Sequence, residues 1–275
     1  MAQPEGFEDG TDRVCLLKKS IYGLKQAPRQ WNLEFGNFLK RLGLKQSEHD
    51  RCIYYRMKPS KLFLAIYVDD GIIFAEDQTS IHKLMEKLRE EFEINEVDQS
   101  TFLGFQILRN KDGSISLHQE SYIEKVLERF NMANATGVDN PLTLSKTTAD
   151  EIDTQPLDES IPFREAIGSL MYAATTTRVD MAFPVNVRSR HLLNPTTLDW
   201  KCLKRMFRYL VATERICITY SKKKNRGLIV FCDSDYAGNE DYRSTTGFVV
   251  SRAHQLTGRV RYNLWLLCRL QKQNL

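Results

Sequence analysis

Apolar residues along the chain follow two rhythms, one of helical spacing and one of short strand-like runs. Between 28 and 42, Trp31, Phe35, Phe38, Leu39 and Leu42 fall at steps of four, three, one and three. That stripe predicts an amphipathic helix, with Gly43 placed to end it. Two runs rich in β-branched and aromatic residues come next, CIYYRM (52–57) and LFLAIYV (62–68), joined by KPSK. They predict paired strands. Asp69 and Asp70 then lead into GIIFA, so the second run continues as a hairpin with two adjacent carboxylates at its tip. Ile81, Leu84, Met85, Leu88 and Phe92 return to helical spacing, with Thr79 or Ser80 available as N-cap.

Further on, FLGFQIL (102–108) and SISLH (114–118) flank NKDG, a strong hairpin signal. Tyr122, Ile123, Val126, Leu127 and Phe130 mark another helix. From 133 to 162 the sequence is rich in Thr and Asp, carries Pro141, Pro156 and Pro162 and shows no sustained period, so it reads as a linker. Three helices are predicted at 163–175, 180–192 and 198–211. The strands ICITYS (216–221) and GLIVFCD (227–233), separated by KKKNR, predict the opening of a new β-rich unit.

Length and composition add bounds. With 275 residues, 42% of them hydrophobic, the chain buries a substantial core as one large or two smaller domains. A net charge of +4 permits an anionic partner without demanding one. The six cysteines include no metal-ligand spacing, and the five histidines form no ligand pair. No apolar run approaches the roughly 20 residues of a membrane span, and the first residues carry no leader pattern. A soluble, reduced, intracellular and cytoplasmic chain is therefore expected. KKKNR reads as a solvated turn or a phosphate grip. Trp31 and Trp200 are assigned to apolar helix faces in the core.

The carboxylate pair admits two readings. Asp favours turns and solvated tips, which makes the pair an ordinary turn. Alternatively, the flanking runs are apolar enough to be buried on both faces, which leaves two like charges at the mouth of a core. A divalent cation would relieve their repulsion. Mg²⁺ takes oxygen ligands from one or two carboxylates plus substrate phosphates, and two such ions stabilise the attacking and leaving oxygens of phosphoryl transfer. That chemistry needs a further carboxylate from another strand. Among residues 1–68 the acids are Glu5, Glu8, Asp9, Asp12, Glu34, Glu48 and Asp50, and none lies in an apolar strand.

Several blocks carry a family likeness: QPEGFED (3–9), LKKSIYGLKQAPRQW (17–31), YVDD (67–70), FLGFQI (102–107), IGSLMYAATTTRVDMAF (167–183), KRMFRYL (204–210) and CDSDYAGNEDYRSTTGF (232–248). In these blocks and their order the chain resembles the Pol polyprotein of copia-type LTR retrotransposons, from mid reverse transcriptase into ribonuclease H. The resemblance implies an α+β fold: a partial reverse-transcriptase palm and thumb over 1–132, the linker, a helical connection over 163–213 and an incomplete ribonuclease H-like unit over 214–250. It implies that Asp69 and Asp70 are metal-binding carboxylates, with Tyr67 and Val68 in the same primer-terminus hairpin. Gln26, Ala27 and Pro28 would lie beside the incoming nucleotide and template, with Gly23 in the adjoining turn. FLGFQI resembles a primer grip. Asp233 matches the first ribonuclease H carboxylate, and Asp235 is a weaker match. Implied partners are an RNA or DNA template-primer and deoxynucleotides, and the implied cofactor is Mg²⁺.

Two departures matter. The family's first palm Asp lies upstream of QPEGFED, and its STEAE-like ribonuclease H segment is missing after Val250. The tail over 251–275 instead has five basic residues and no acid. If codons are rebuilt in a neighbouring frame, His254 to Asn274 can be read as a peptide with W-x-S followed by QSMVALSSTEAE, so a frameshifted translation is expected. The chain is expected to be catalytically incomplete by itself. A non-catalytic nucleic-acid-binding or domesticated interaction module is the alternative, and an unrelated metal-dependent hydrolase is a third reading.

Overall fold

Pro28 lies in the first turn of α1 (Ala27–Arg41), where its missing N–H costs nothing, and Lys40 and Arg41 lie in the last, where the helix dipole favours cations. Gly43 takes φ 82° just beyond it, a left-handed stop that glycine adopts without a Cβ clash. The helix thus starts and ends where the periodicity places it. The computed structural model describes residues 1–21, 23–96, 101–142, 155–220, 229–234 and 246–251. It divides into two units, Met1–Val97 and Asp98–Leu275.

In the first unit an antiparallel sheet has the order β1 (Lys45–Gln46), β2 (Ile53–Arg56), β3 (Leu62–Tyr67) and β4 (Asp70–Ala75). Because alternate side chains point to opposite faces, Tyr54, Leu62 and Leu64 turn to one side and are buried against Phe38 and Leu39 of α1 and Leu84 and Leu88 of α2 (Gln78–Glu91). The N-cap of α2 is Asp77, whose side chain accepts from the Ser80 N–H at 2.7 Å, rather than Thr79 or Ser80. Asp77 precedes the first helical residue and so presents its carboxylate to the unpaired donors of the first turn.

The second unit holds the sheet β5 (Thr101–Phe102), β6 (Phe105–Arg109), β7 (Ile115–His118) and β8 (Ile218–Tyr220), in that order. Differences from expectation appear here. Leu103 and Gly104 take φ 48° and 77°, so FLG forms a tight turn and the expected strand over 102–108 starts at Phe105. The expected linker is packed where it is described: Leu157 is buried in the helical core, and Arg205 and Arg208 donate to the Asn140 and Thr136 carbonyls. Finally, β8 pairs with β7, Leu117 opposite Ile218, so this strand is an edge of the second sheet. Residues 143–154 and the KKKNR turn lie outside the described residues.

A helical core joins α3 (Glu120–Arg129), α4 (Phe163–Thr176), α5 (Ala182–Ser189) and α6 (Thr197–Thr213). Its interior includes Ile123, Leu127, Leu170, Met206, Phe207 and Leu210. The helix expected over 180–192 is shorter, a 3-10 turn at Val179–Met181 followed by α5. Inside this core the Arg178 guanidinium is fully buried, 2.7 Å from Asp180, and donates to the Thr213 carbonyl and hydroxyl at 3.0 and 2.6 Å. It also lies 5.4 Å from the Tyr209 ring centre, and burial next to Asp180 pushes that phenol up to about 12. At the start of α6, Asp199 and Thr196 form a reciprocal capping box. A separate antiparallel pair, β9 (Ile229–Ser234) and β10 (Thr246–Ser251), completes the described strands.

Candidate active site at the β3–β4 turn

Tyr67 pairs directly with Asp70, which leaves Val68 and Asp69 as a two-residue turn. Val68 has φ 57°, positive at the first central position as in a type II′ hairpin turn, where glycine is usual. A β-branched residue is strained there, and such strain persists only where neighbours over-determine it. The neighbour is Trp31 of α1. Its indole N–H donates to the Val68 carbonyl at 2.6 Å.

Trp31 is itself seated in an aromatic group. Its ring stacks on Phe35 at 5.2 Å and meets Phe92 edge-on at 5.5 Å, while Phe92 also touches Phe38 at 5.2 Å. The helix that begins with Gln26, Ala27 and Pro28 is thereby tied to the carboxylate tip. Trp31 remains 36% exposed, so its assignment to the core is corrected: the ring packs at the margin and its N–H serves the turn. The available signal was the polar N–H of the first aromatic in the stripe, which a purely apolar reading discards.

Asp69 and Asp70 are both exposed. Neither side chain has a hydrogen bond or ion pair among the described residues. The expectation that both faces of the hairpin are buried is also corrected. Phe63, Tyr67 and Phe74 are 39%, 59% and 42% exposed, and the pairings Phe63 with Phe74 and Tyr67 with Asp70 put them on one face with Asp70. Among the described residues of this unit, the face opposite the helices is therefore a half-exposed aromatic floor ending in a carboxylate. Tyr55 extends it by stacking on Phe63 at 6.3 Å.

Gly23, with φ 95°, shapes the approach to α1, and the Ala27 N–H donates to the Leu24 carbonyl at 3.0 Å. Gln26 and Pro28 are exposed and Ala27 half-buried. Asp233 belongs to the other unit, on β9 opposite Gly247, exposed, with its carboxylate accepting from the Ser234 N–H at 2.9 Å. Asp235 and the tail over 252–275 lie outside the described residues.

Adjacent, solvent-facing carboxylates are hard oxygen donors of the kind Mg²⁺ takes, so the pair fits part of such a site. Among the described residues no group of three or more His, Cys, Asp or Glu is placed to hold a metal ion. No helix among them is long and apolar enough to cross a membrane.

An antiparallel sheet backed by helices and a YVDD turn anchored to the QAPRQW helix define a class. A family model described as reverse transcriptase (RNA-dependent DNA polymerase) matches residues 1–144. The chain belongs to that family, among the copia-type retrotransposon Pol polyproteins. It is 40% identical over 264 residues to the retrovirus-related Pol polyprotein from transposon TNT 1-94 of Nicotiana tabacum, covering 90% of this chain and 20% of that protein. The corresponding protein from transposon RE1 of Arabidopsis thaliana is 35% identical over 259 residues, covering 92% of this chain and 18% of the relative. A transposon Ty5-1 protein of Saccharomyces cerevisiae is 30% identical over 253 residues, covering 90% of this chain and 82% of the relative. The chain thus spans about a fifth of the two plant polyproteins. No solved structure matches.

Proposed function

We propose that this chain supplies the carboxylate tip of an RNA-directed DNA polymerase within a longer Pol polyprotein. The observation that carries the reading is the tip itself: two exposed carboxylates on a strained, anchored turn, at the end of a half-exposed aromatic sheet face. In the reaction a primer 3′-hydroxyl attacks the α-phosphate of a deoxynucleotide, a phosphodiester bond forms and pyrophosphate leaves. Bound Mg²⁺ would lower the charge cost of the oxygens that attack and leave. Asp69 and Asp70 would hold it, Tyr67 would lie against the primer terminus, and the Gln26–Pro28 turn would border the nucleotide and template. On this reading the first unit is the second half of a palm, and β6 and β7 form a primer-grip hairpin beside a thumb and helical connection. Asp233 is the first carboxylate of a ribonuclease H-like unit. The reaction belongs in an intracellular retrotransposon particle.

A third carboxylate from another strand completes a two-metal polymerase site. Among the described residues β4 ends the order of its sheet, and we place that strand along its outer edge. The 275-residue chain alone would then bind primer-template in a salt-sensitive way without extending it. Primer extension with Mg²⁺ on an RNA template tests both halves. The expected result is no incorporation by this chain and incorporation once it is extended through the upstream strand of a related Pol polyprotein. Binding without incorporation in the extended protein would favour a non-catalytic nucleic-acid module. Incorporation by the chain alone would overturn its incompleteness.

A further inference from the structure

We propose that Trp31 is a positioning residue that holds the β3–β4 turn in its strained conformation and so sets where Asp69 and Asp70 present their oxygens. The proposal rests on the polymerase reading of the tip, but its first test does not. Two independent observations meet here. Val68 takes a positive φ that a β-branched side chain resists, and the carbonyl of that same residue is the acceptor of the Trp31 indole N–H at 2.6 Å.

A valine at this position relaxes toward negative φ unless something holds the peptide that follows it. Rotation of that peptide would swing the Val68 carbonyl and the Asp69 N–H together, since the peptide unit is planar. A donor fixed on the Val68 oxygen blocks the rotation. Trp31 is well placed to be that donor because its ring cannot drift. Phe35 is on the same helix, while Phe92 reaches the ring from the far end of α2. The indole therefore carries the rigidity of two helices to a turn that the sheet holds from only one end.

The consequence is directional. Asp70 opens β4 and is fixed by its pairing with Tyr67, whereas Asp69 lies inside the turn. Loss of the indole donor should therefore release Asp69 more than Asp70, and with it the relative placement of the two carboxylates. It should leave the sheet and both helices in place.

Trp31→Phe keeps an aromatic ring on Phe35 and Phe92 and removes the N–H donor together with part of the indole's contact area. In the full 275-residue chain, amide hydrogen exchange at Tyr67 and Asp70, whose pairing closes the turn, should rise about tenfold, the size expected for loss of one hydrogen bond. Exchange in α1 and α2 should be unchanged. Val68→Gly in the Trp31→Phe background should restore protection, because glycine adopts positive φ without the penalty. Unchanged exchange at the turn in Trp31→Phe would overturn the proposal. So would a rise in α1 equal to that in the turn, or failure of Val68→Gly to rescue, since each points to packing alone. A second arm uses Mn²⁺ alone as the probe, read by electron paramagnetic resonance. Binding should weaken about tenfold in Trp31→Phe and recover in the double variant. If the Asp69→Asn, Asp70→Asn double variant leaves Mn²⁺ binding intact, the metal reading of the tip fails, and the exchange results still decide the role of Trp31.

Discussion

In the first unit Asp69 and Asp70 stand side by side at an exposed turn with no partner among the described residues, while in the second Asp199 is 1% exposed and surrounded by donors. The Asp199 carboxylate accepts from the Thr196 N–H and hydroxyl at 2.9 and 2.8 Å, and from Arg188 at 2.9 Å, with His191 3.0 Å away. Arg178 is treated the same way, buried and bonded to Asp180 and Thr213. Taking a charge from water costs several kcal/mol unless partners compensate, so the second unit supplies partners. At the tip the charges keep their water, and folding uses neither of them. A strained turn carrying two like charges is explained by what it presents to solvent, whereas the buried charges are explained by the packing they complete.

Variants on the two sides should therefore behave oppositely. The largest expected loss of stability is for Arg178→Ala, about 3–5 kcal/mol in denaturant unfolding, because Asp180 is left partly buried without its cation. A cost near that of a surface substitution would show that the buried cation is not what holds this packing. Asp199→Ala should cost about 2–3 kcal/mol, since the Thr196 and Arg188 donors lose their acceptor.

Asp199 also sharpens the contrast through pH. Burial alone would raise its carboxyl above the ordinary value of 3.8, but the hydrogen bonds from Thr196 and Arg188 and the nearby His191 outweigh it and hold the group lower. A lowered value means that the stabilisation is complete above the unfolded value and is lost as pH falls through the folded one. The stability gap between wild type and Asp199→Asn should hold at neutral pH and close below 3.8 in acid unfolding titrations. Thr196→Ala, which removes half of the capping box, should cost about 1 kcal/mol by the same measurement. The smallest effect on stability is expected at the tip, where replacing either carboxylate removes repulsion and no partner.

Much of the fold was legible in local pattern. The stripe through Phe35, Phe38 and Leu39 marks α1, and the run LFLAIYVDDGIIFA marks β3, the turn and β4. Both depend on neighbours in sequence. What was not legible depends on partners far along the chain. ICITYS reads as a strand wherever it pairs, and nothing local says that Ile218 lies opposite Leu117, 101 residues earlier. Leu157 sits in a polar stretch without a period, so its burial follows from the groove it meets. FLG reads as strand because Leu103 is apolar, although its backbone turns. At the site the carboxylates were visible as a motif. The indole bonded to the turn was legible only in part, because its N–H is a polar signal on an apolar stripe but gives no sign of where it points.

The most direct test of the tip's role is a paired measurement on the Asp69→Asn, Asp70→Asn double variant: Mn²⁺ titration followed by electron paramagnetic resonance, and denaturant unfolding of the same preparation. The expected result is that saturable Mn²⁺ binding disappears while the unfolding midpoint stays the same or rises. Retained Mn²⁺ binding, or a fall in stability comparable with that of Asp199→Ala, would contradict it.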